Sequence, residues 1–352
     1  MDFTELERQA RGLLKPAAYD YYAGGADDEV TLADNVAAWR RLRLRPHVLR
    51  DVSKVSAASA VLGTEVSAPV LVAPMAYQRL AHDGGEAATA RGAAAAGTVM
   101  VVSTLATVSL EDVAGAAPGA PRWFQVYVRK DRGWVVELVR RAAEAGYRAL
   151  VLTVDLPVLG RRRRDERHRF TLPEGMEMAN VGRSTVPAEG SALEAYARQE
   201  LDPAVTFDDI AWLAEASGLP VVVKGVLRGD DAAACLDAGA AAVAVSNHGG
   251  RQLDTAVAGA DALPEVVAAV AGRGEVYVDG GVRRGTDVVK ALALGARAVM
   301  VGRPVLWGLA TGGADGVAEV LGALRAETER ALALCGAASV SELRPDLVVP
   351  AG

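Results

Sequence analysis

From Pro69 onward the sequence alternates between short apolar runs and alanine-rich stretches, and this alternation limits the possible folds more than any other feature. Eight runs stand out: Pro69–Ala76, Val99–Thr104, Trp123–Val128, Ala149–Asp155, Pro220–Val226, Ala242–Asn247, Glu275–Gly280 and Ala298–Gly302. A helical stretch separates most neighbours, as in Gly133–Gly146, Asp230–Gly239 and Thr286–Gly295, and each of these ends at a glycine suited to stop a helix. Runs such as Val-Leu-Val-Ala and Val-Tyr-Val are apolar on both faces, as strands buried in a parallel sheet must be. Eight βα units in order predict an α/β fold, a closed (β/α)8 TIM barrel. An open doubly wound sheet is the competitor. It wants a glycine-rich turn after its first strand, and Pro74-Met75-Ala76-Tyr77 follows instead.

A barrel takes ~250 residues, so a chain of 352 has about a hundred to spare. The expected organisation is a single domain: an N-terminal helical segment over 1–68 and the barrel over 69–352. In the first segment Phe3, Leu6, Ala10 and Leu13 fall at helical spacing. Pro16 opens a second helix that ends at Gly24-Gly25, and Asp27-Asp28-Glu29 opens a third that runs to about Arg41. The connection after the fourth strand, about 160–205, shows no strong apolar periodicity. It reads either as a mobile lid over the site or as a surface insertion.

With 51% hydrophobic residues the chain can bury a large core. Lys+Arg 38 against Asp+Glu 44 leaves a net charge of −6, which disfavours a nucleic-acid partner. Cys235 and Cys335 stand alone with no CxxC pair, so neither a disulfide framework nor a thiolate metal site is expected. The acidic start and the lack of a long uncharged apolar stretch predict a cytoplasmic protein with no membrane span.

Barrel enzymes carry their active sites at the C-terminal ends of the strands. Here those ends hold Met75-Ala76, Ser103-Thr104, Gln125-Val126-Tyr127, Thr153-Val154-Asp155, Lys224, Ser246-Asn247-His248, Asp279-Gly280-Gly281 and Gly302-Arg303. Packing alone does not account for so polar a set. The glycines and arginines after the last two strands suit a phosphate, because glycine lets backbone N–H groups approach it and arginine forks bind it. His248 suits proton transfer near neutral pH, and Arg251 a carboxylate. One arginine of the run Arg161–Arg164 is a candidate second anion clamp, the rest a solvated stretch. Asp155 reads as a partner for His248 or as a cap. Lys224, among valines, reads as a Schiff-base lysine or as a positive charge beside a cofactor. His47, His82 and His168 read as surface or structural histidines.

These motifs resemble the FMN-dependent 2-hydroxy acid oxidases and dehydrogenases, among them glycolate oxidase, lactate oxidase and mandelate dehydrogenase. The resemblance rests on Tyr19-Asp-Tyr-Tyr-Ala-Gly-Gly25, Ser246-Asn-His-Gly-Gly-Arg-Gln-Leu-Asp254, Asp279-Gly-Gly-Val-Arg-Arg-Gly-Thr-Asp287 and Val301-Gly-Arg-Pro304. It implies FMN, a homo-oligomer (a tetramer in that family) and no metal. It makes His248 the base with Asp155 as its partner. Arg251 and Arg162 would clamp the substrate carboxylate, with Tyr21 and Tyr127 against the substrate. Lys224 would sit by the flavin ring. Pro74, Met75, Ala76, Ser103, Gln125, Thr153 and Ser246 would lie along the ring or ribityl chain. Asp279, Gly281, Arg283, Gly302 and Arg303 would hold the ribityl–phosphate end.

Departures from the family pattern bear on the substrate. Leu105 stands where glycolate oxidases carry a tryptophan, which opens the pocket. Tyr77, in Ala73-Pro-Met-Ala-Tyr-Gln-Arg-Leu80, resembles the hydroxymandelate oxidases. An aryl 2-hydroxy acid such as mandelate or 4-hydroxymandelate is therefore expected. O2 is the expected acceptor, since no haem domain precedes the barrel and the 160–205 connection lacks an apolar anchor.

Overall fold

The computed structural model describes residues 1–182 and 192–351. The eight expected strands are present: β1 Val70–Val72, β2 Met100–Ser103, β3 Arg122–Val126, β4 Leu150–Thr153, β5 Val221–Val226, β6 Ala242–Val245, β7 Glu275–Asp279 and β8 Ala298–Val301. All neighbours pair in parallel, and β8 returns to β1 through Val299 opposite Val70, so the sheet closes. The closed (β/α)8 barrel is the observed architecture and the open sheet is excluded.

The helices begin with α1 Phe3–Leu13, α2 Pro16–Ala23 and α3 Val30–Arg41. Those of the barrel are α4 Gly85–Ala95, α5 Leu110–Ala116, α6 Arg132–Glu144, α7 Arg163–His168, α8 Ala192–Glu200, α9 Asp208–Ser217, α10 Gly229–Asp237, α11 Gly259–Val270, α12 Gly285–Ala293 and α13 Arg303–Leu334. Among the described residues one α-helix follows each strand except β4, which is followed by three.

Alternation along each strand builds two cores. Leu71, Val101, Trp123, Val151, Val222, Ala244, Tyr277 and Met300 fill the barrel lumen. The other face, with Val70, Val102, Phe124, Leu152 and Val278, packs outward on the helices. An antiparallel hairpin, Ser59–Val61 with Thr64–Val66, closes the N-terminal end by adding Val61 and Val66 to the lumen cluster. That end is plugged, so any ligand must enter at the opposite rim.

Two expectations need correction. The N-terminal segment is helical only to Arg41; beyond it Leu42–Leu44 pairs with Val348–Pro350, and the hairpin follows. The strand-four connection is not featureless, because it carries α7 and α8. Leu193, Tyr196, Ala197 and Leu201 are spaced i, i+3, i+4, i+8, a helical stripe that polar neighbours obscure. Residues 183–191 of that connection lie outside the described residues.

Candidate active site

A cavity opens at the C-terminal rim of the barrel. Every catalytic or cofactor-binding residue that the resemblance implies lines it except Asp155 and Ser246. Those two stand directly behind the wall, where they hold its members in place. Ser246 Oγ accepts from Lys224 Nζ at 2.8 Å and from the His248 backbone N–H at 3.0 Å. Asp155 Oδ1 meets His248 Nδ1 at 2.8 Å.

The backbone around this pair is specialised. His248 has φ of 59°, and Gly249 and Gly250 continue at 65° and 74°, a left-handed turn that throws the imidazole into the cavity. On β5, Gly225 has φ of 112°, and a Cβ there would come 2.7 Å from the Asp155 side chain. Glycine at 225 therefore lets β5 pass close enough to seat Asp155 beneath the histidine. Burial lowers the His248 pKa below the ordinary histidine value; Asp155 pulls it upward, but less strongly. Burial opposes ionisation of Asp155 too, yet His248 and Lys224 outweigh it and hold the carboxyl below its usual range. With Nδ1 donating to Asp155, the imidazole presents Nε2 as an acceptor.

Two guanidiniums face the same space. Arg162 is buried, donates from Nε to the Arg251 carbonyl at 3.4 Å, and lies 4.0 Å from Asp165. Burial and the nearby Arg251 push its pKa down to about 10, which marks a cation short of counter-charge. Arg251 donates Nη1 to the Tyr21 and Gly24 carbonyls and lies 5.0 Å over the Tyr21 ring. Tyr21 in turn stacks on Phe170 at 4.4 Å. The other arginines of the basic run are spent on tethers: Arg161 on Glu166, Arg163 on Asp28, Arg164 on Glu29 and Asp20. His168 joins them through Nε2 and Asp20 at 2.7 Å, and His82 Nδ1 accepts from the Gly84 N–H, so both are structural.

A second set of groups runs from β3 round to β8. Gln125 Oε1 accepts from Ser103 Oγ at 3.1 Å and the Thr104 N–H at 3.2 Å, which leaves Gln125 Nε2 buried without a partner. Thr153 Oγ1 and Asp279 Oδ1 are likewise buried and unpartnered. Lys224 Nζ reaches Asp279 Oδ2 at 3.0 Å; burial lowers its pKa, but Asp279 and Asp155 more than restore it. Buried polar atoms of this kind cost ~1–3 kcal/mol each unless a ligand satisfies them.

Beyond them lie Gly281, Arg283, Gly302 and Arg303. Gly281 has φ of 77°, and a Cβ there would fall 1.8 Å from the Asn35 carbonyl, so glycine is required. Arg303 donates to the Tyr22, Gly249 and Gly24 carbonyls, stapling α2 to the turn after β6. Its guanidinium is thus committed to backbone, while the residue itself opens α13, where the first N–H groups have no helical acceptors.

Sequence reasoning did not assign several positioning roles, and it did not single out Asn35 or Trp39 at all. Asn35 and Asn247 exchange two 2.8 Å hydrogen bonds, Trp39 Nε1 donates to the Gly280 carbonyl, and Asp254 accepts the N–H groups of Asp28, Val30 and Thr31 to cap α3. These fasten the N-terminal helices to the rim. Leu156, Leu159, Leu193, Tyr196, Ala197 and Leu201 roof the cavity from the strand-four connection. The signal for the last four was the helical stripe noted above. The end of α8 is sewn to the segment after β3: Arg129 pairs with Glu200, Lys130 N–H donates to the Glu200 carbonyl, and Asp202 N–H to the Val128 carbonyl. Tyr196 hydroxyl is buried and unpartnered, and burial pushes its pKa up to about 12. Leu105 lines the cavity as expected, but Tyr77 does not. Its hydroxyl lies 3.6 Å from Met178 Sδ, and its carbonyl accepts from Tyr22.

The model of one protein family, FMN-dependent dehydrogenase, matches residues 10–350. An L-lactate oxidase of Nostoc sp. is 53% identical, covering 97% of this chain and 96% of the relative. Human 2-hydroxyacid oxidase 1 is 48% identical, covering 98% and 95%. The crystal structure of a mandelate oxidase with (S)-4-hydroxymandelic acid superposes with a TM-score of 0.93 at 45% identity, covering 97% of each chain. The cavity fits the cofactor this family uses: its unpartnered amide, hydroxyl and carboxylate stand along a lysine-edged wall that ends in a glycine–arginine cradle suited to a phosphate. The chain belongs to the FMN-dependent dehydrogenase family and, within it, to the 2-hydroxy acid oxidases, with FMN as its cofactor.

Proposed function

We propose that the protein oxidises an (S)-2-hydroxy acid with an apolar, aryl side group, such as mandelate or 4-hydroxymandelate, to the 2-oxo acid. The substrate loses two electrons and two protons, and O2 takes them up as H2O2. FMN, when bound, would supply the two-electron acceptor for this oxidation.

The chain's own residues do the rest. Pro74, Met75, Ala76, Ser103, Gln125, Thr153 and Lys224 would hold the ring and ribityl chain. Asp279, Gly281, Arg283, Gly302 and Arg303 would hold the phosphate end, and Ser246 would steady Lys224 from behind. Lys224 would place a positive charge beside the ring, which would favour its taking up electrons. Arg162 and Arg251 clamp the carboxylate, Tyr21 and Tyr127 confine the α-carbon, and His248 Nε2 takes a substrate proton. Asp155 fixes the tautomer and stabilises the imidazolium that forms.

The observation that carries the aryl reading is the roof: Leu105, Leu156, Leu193 and Leu201 leave an apolar space above the clamps. The unpartnered Tyr196 hydroxyl there supplies a hydrogen bond for a polar ring substituent. The relative at 53% identity is named for lactate, so lactate and glycolate are the comparators. Anaerobic mixing with (S)-mandelate should bleach the flavin band, and air should restore it with release of peroxide. A kcat/KM for glycolate or lactate equal to that for mandelate refutes the aryl assignment, and reoxidation without peroxide refutes the acceptor.

A further inference from the structure

Beside the active-site cavity lies a second one of about 440 Å³, between the ends of β4 and β5 and the helices α9 and α10. Val223 and Val226 on β5, Val205, Phe207 and Ile210 around the start of α9, and Cys235 on α10 make its wall mainly apolar. No lysine, arginine or histidine lines it among the described residues; of its two carboxylates Asp202 is paired with Arg132 and Asp231 is exposed to solvent. Tyr127, Thr153, Leu156 and Leu201 line both cavities, so one layer of side chains separates them. The mouth is apolar as well: Phe207 is 42% exposed, Val154 37%, and Val158, next to the lining residue Pro157, 72%. A space that shares a wall with a carboxylate-clamping site, but holds no cation of its own, suits the uncharged end of a molecule whose acid group is held elsewhere.

We propose that this second cavity is an annex of the substrate site. It takes the distal part of a 2-hydroxy acid whose apolar side group is longer than a single ring, such as an alkyl chain. The chain passes between Leu156 and Leu201 while the carboxylate stays on Arg162 and Arg251. Leu156 is only half-buried, on the segment leaving β4, so its rotation opens the passage without moving the barrel. This assignment rests on the main cavity being the 2-hydroxy acid site. It does not depend on mandelate being preferred over glycolate.

The test uses the holoenzyme with straight-chain 2-hydroxy acids from four to ten carbons. Once the chain passes Leu156, kcat/KM should rise about fourfold per added methylene, which corresponds to ~0.8 kcal/mol per buried CH2. Calorimetric Kd values for the matching 2-oxo acids should fall in step. A flat profile from four carbons onward, or affinity that weakens with length, overturns the proposal. Cys235→Phe fills the back of the annex, and Val205→Trp narrows its mouth should the first variant fail to fold. Either should lower kcat/KM for 2-hydroxyoctanoate and weaken 2-oxooctanoate binding about tenfold or more, with 2-hydroxybutanoate changed less than twofold. Equal loss on both substrates, or loss on neither, overturns it too. Glycolate outrunning mandelate would remove the aryl reading and leave these comparisons among straight-chain acids standing.

Discussion

The polar floor of the cavity and the apolar roof above it are built by opposite means. The floor sits on strand ends of one rigid barrel, and its groups are paired on one side only: Asp155 and Asp279 each keep an oxygen, and Gln125 an amide nitrogen, without a partner. Apart from Leu105, just after β2, the roof comes from one long connection that carries α7 and α8 and is pinned by ion pairs to α2, the start of α3 and the segment after β3. Its contribution is mainly shape. The floor should therefore govern the chemical step for every substrate alike, and the roof should govern which substrate is chosen.

The largest expected effect is in the floor. Asp155→Asn removes the charge that orients His248 and stabilises its protonated form, so anaerobic flavin reduction should slow by about 10³-fold for mandelate and lactate alike, with FMN retained. A loss confined to one substrate would break the division. Gly281→Ala sets a methyl group against the Asn35 carbonyl and needs a left-handed backbone, for about 3 kcal/mol or more. It should lower the thermal midpoint and the FMN content together.

The roof should answer differently. Leu105→Trp refills the space above the clamps and should cut the mandelate-to-glycolate ratio of kcat/KM by about tenfold, with the glycolate value little changed. Equal loss on both would place Leu105 with the floor. The smallest effect is in pH. His248 acts as a base only when neutral, and burial lowers its pKa, so kcat/KM should rise with pH along a limb whose midpoint lies below ~6.5. Because the floor sets this limb, Leu105→Trp should leave it in place.

Much of the floor was legible in the sequence because barrel strands project their C-terminal residues into one rim, so strand ends that are far apart in the chain become neighbours. His248, Arg251, Lys224 and Asp279 could be placed that way without a structure. The roof was harder to read. The stripe from Leu193 to Leu201 is short, lies in a polar context, and meets the site only through pairings such as Arg129 with Glu200. Tyr77, read as a mark of likeness to the hydroxymandelate oxidases, is buried with φ of 60° and its hydroxyl lies 3.6 Å from Met178 Sδ, a placement its position two residues beyond Met75 did not announce.

The sequence by itself determined the barrel and the kind of chemistry at its rim. Short runs that are apolar on both faces select buried parallel strands, and eight of them alternating with helices close into a barrel. The residue pattern left open which of four consecutive arginines faces the cavity; the resemblance pointed to Arg162, and the tertiary structure supplies the reason. Arg161, Arg163 and Arg164 find carboxylates on Glu166, Asp28 and Glu29, whereas Arg162 starts α7 turned inward beside Arg251. Local sequence cannot distinguish four like charges; only the positions of their counter-charges, set by how the chain folds back on itself, can do so.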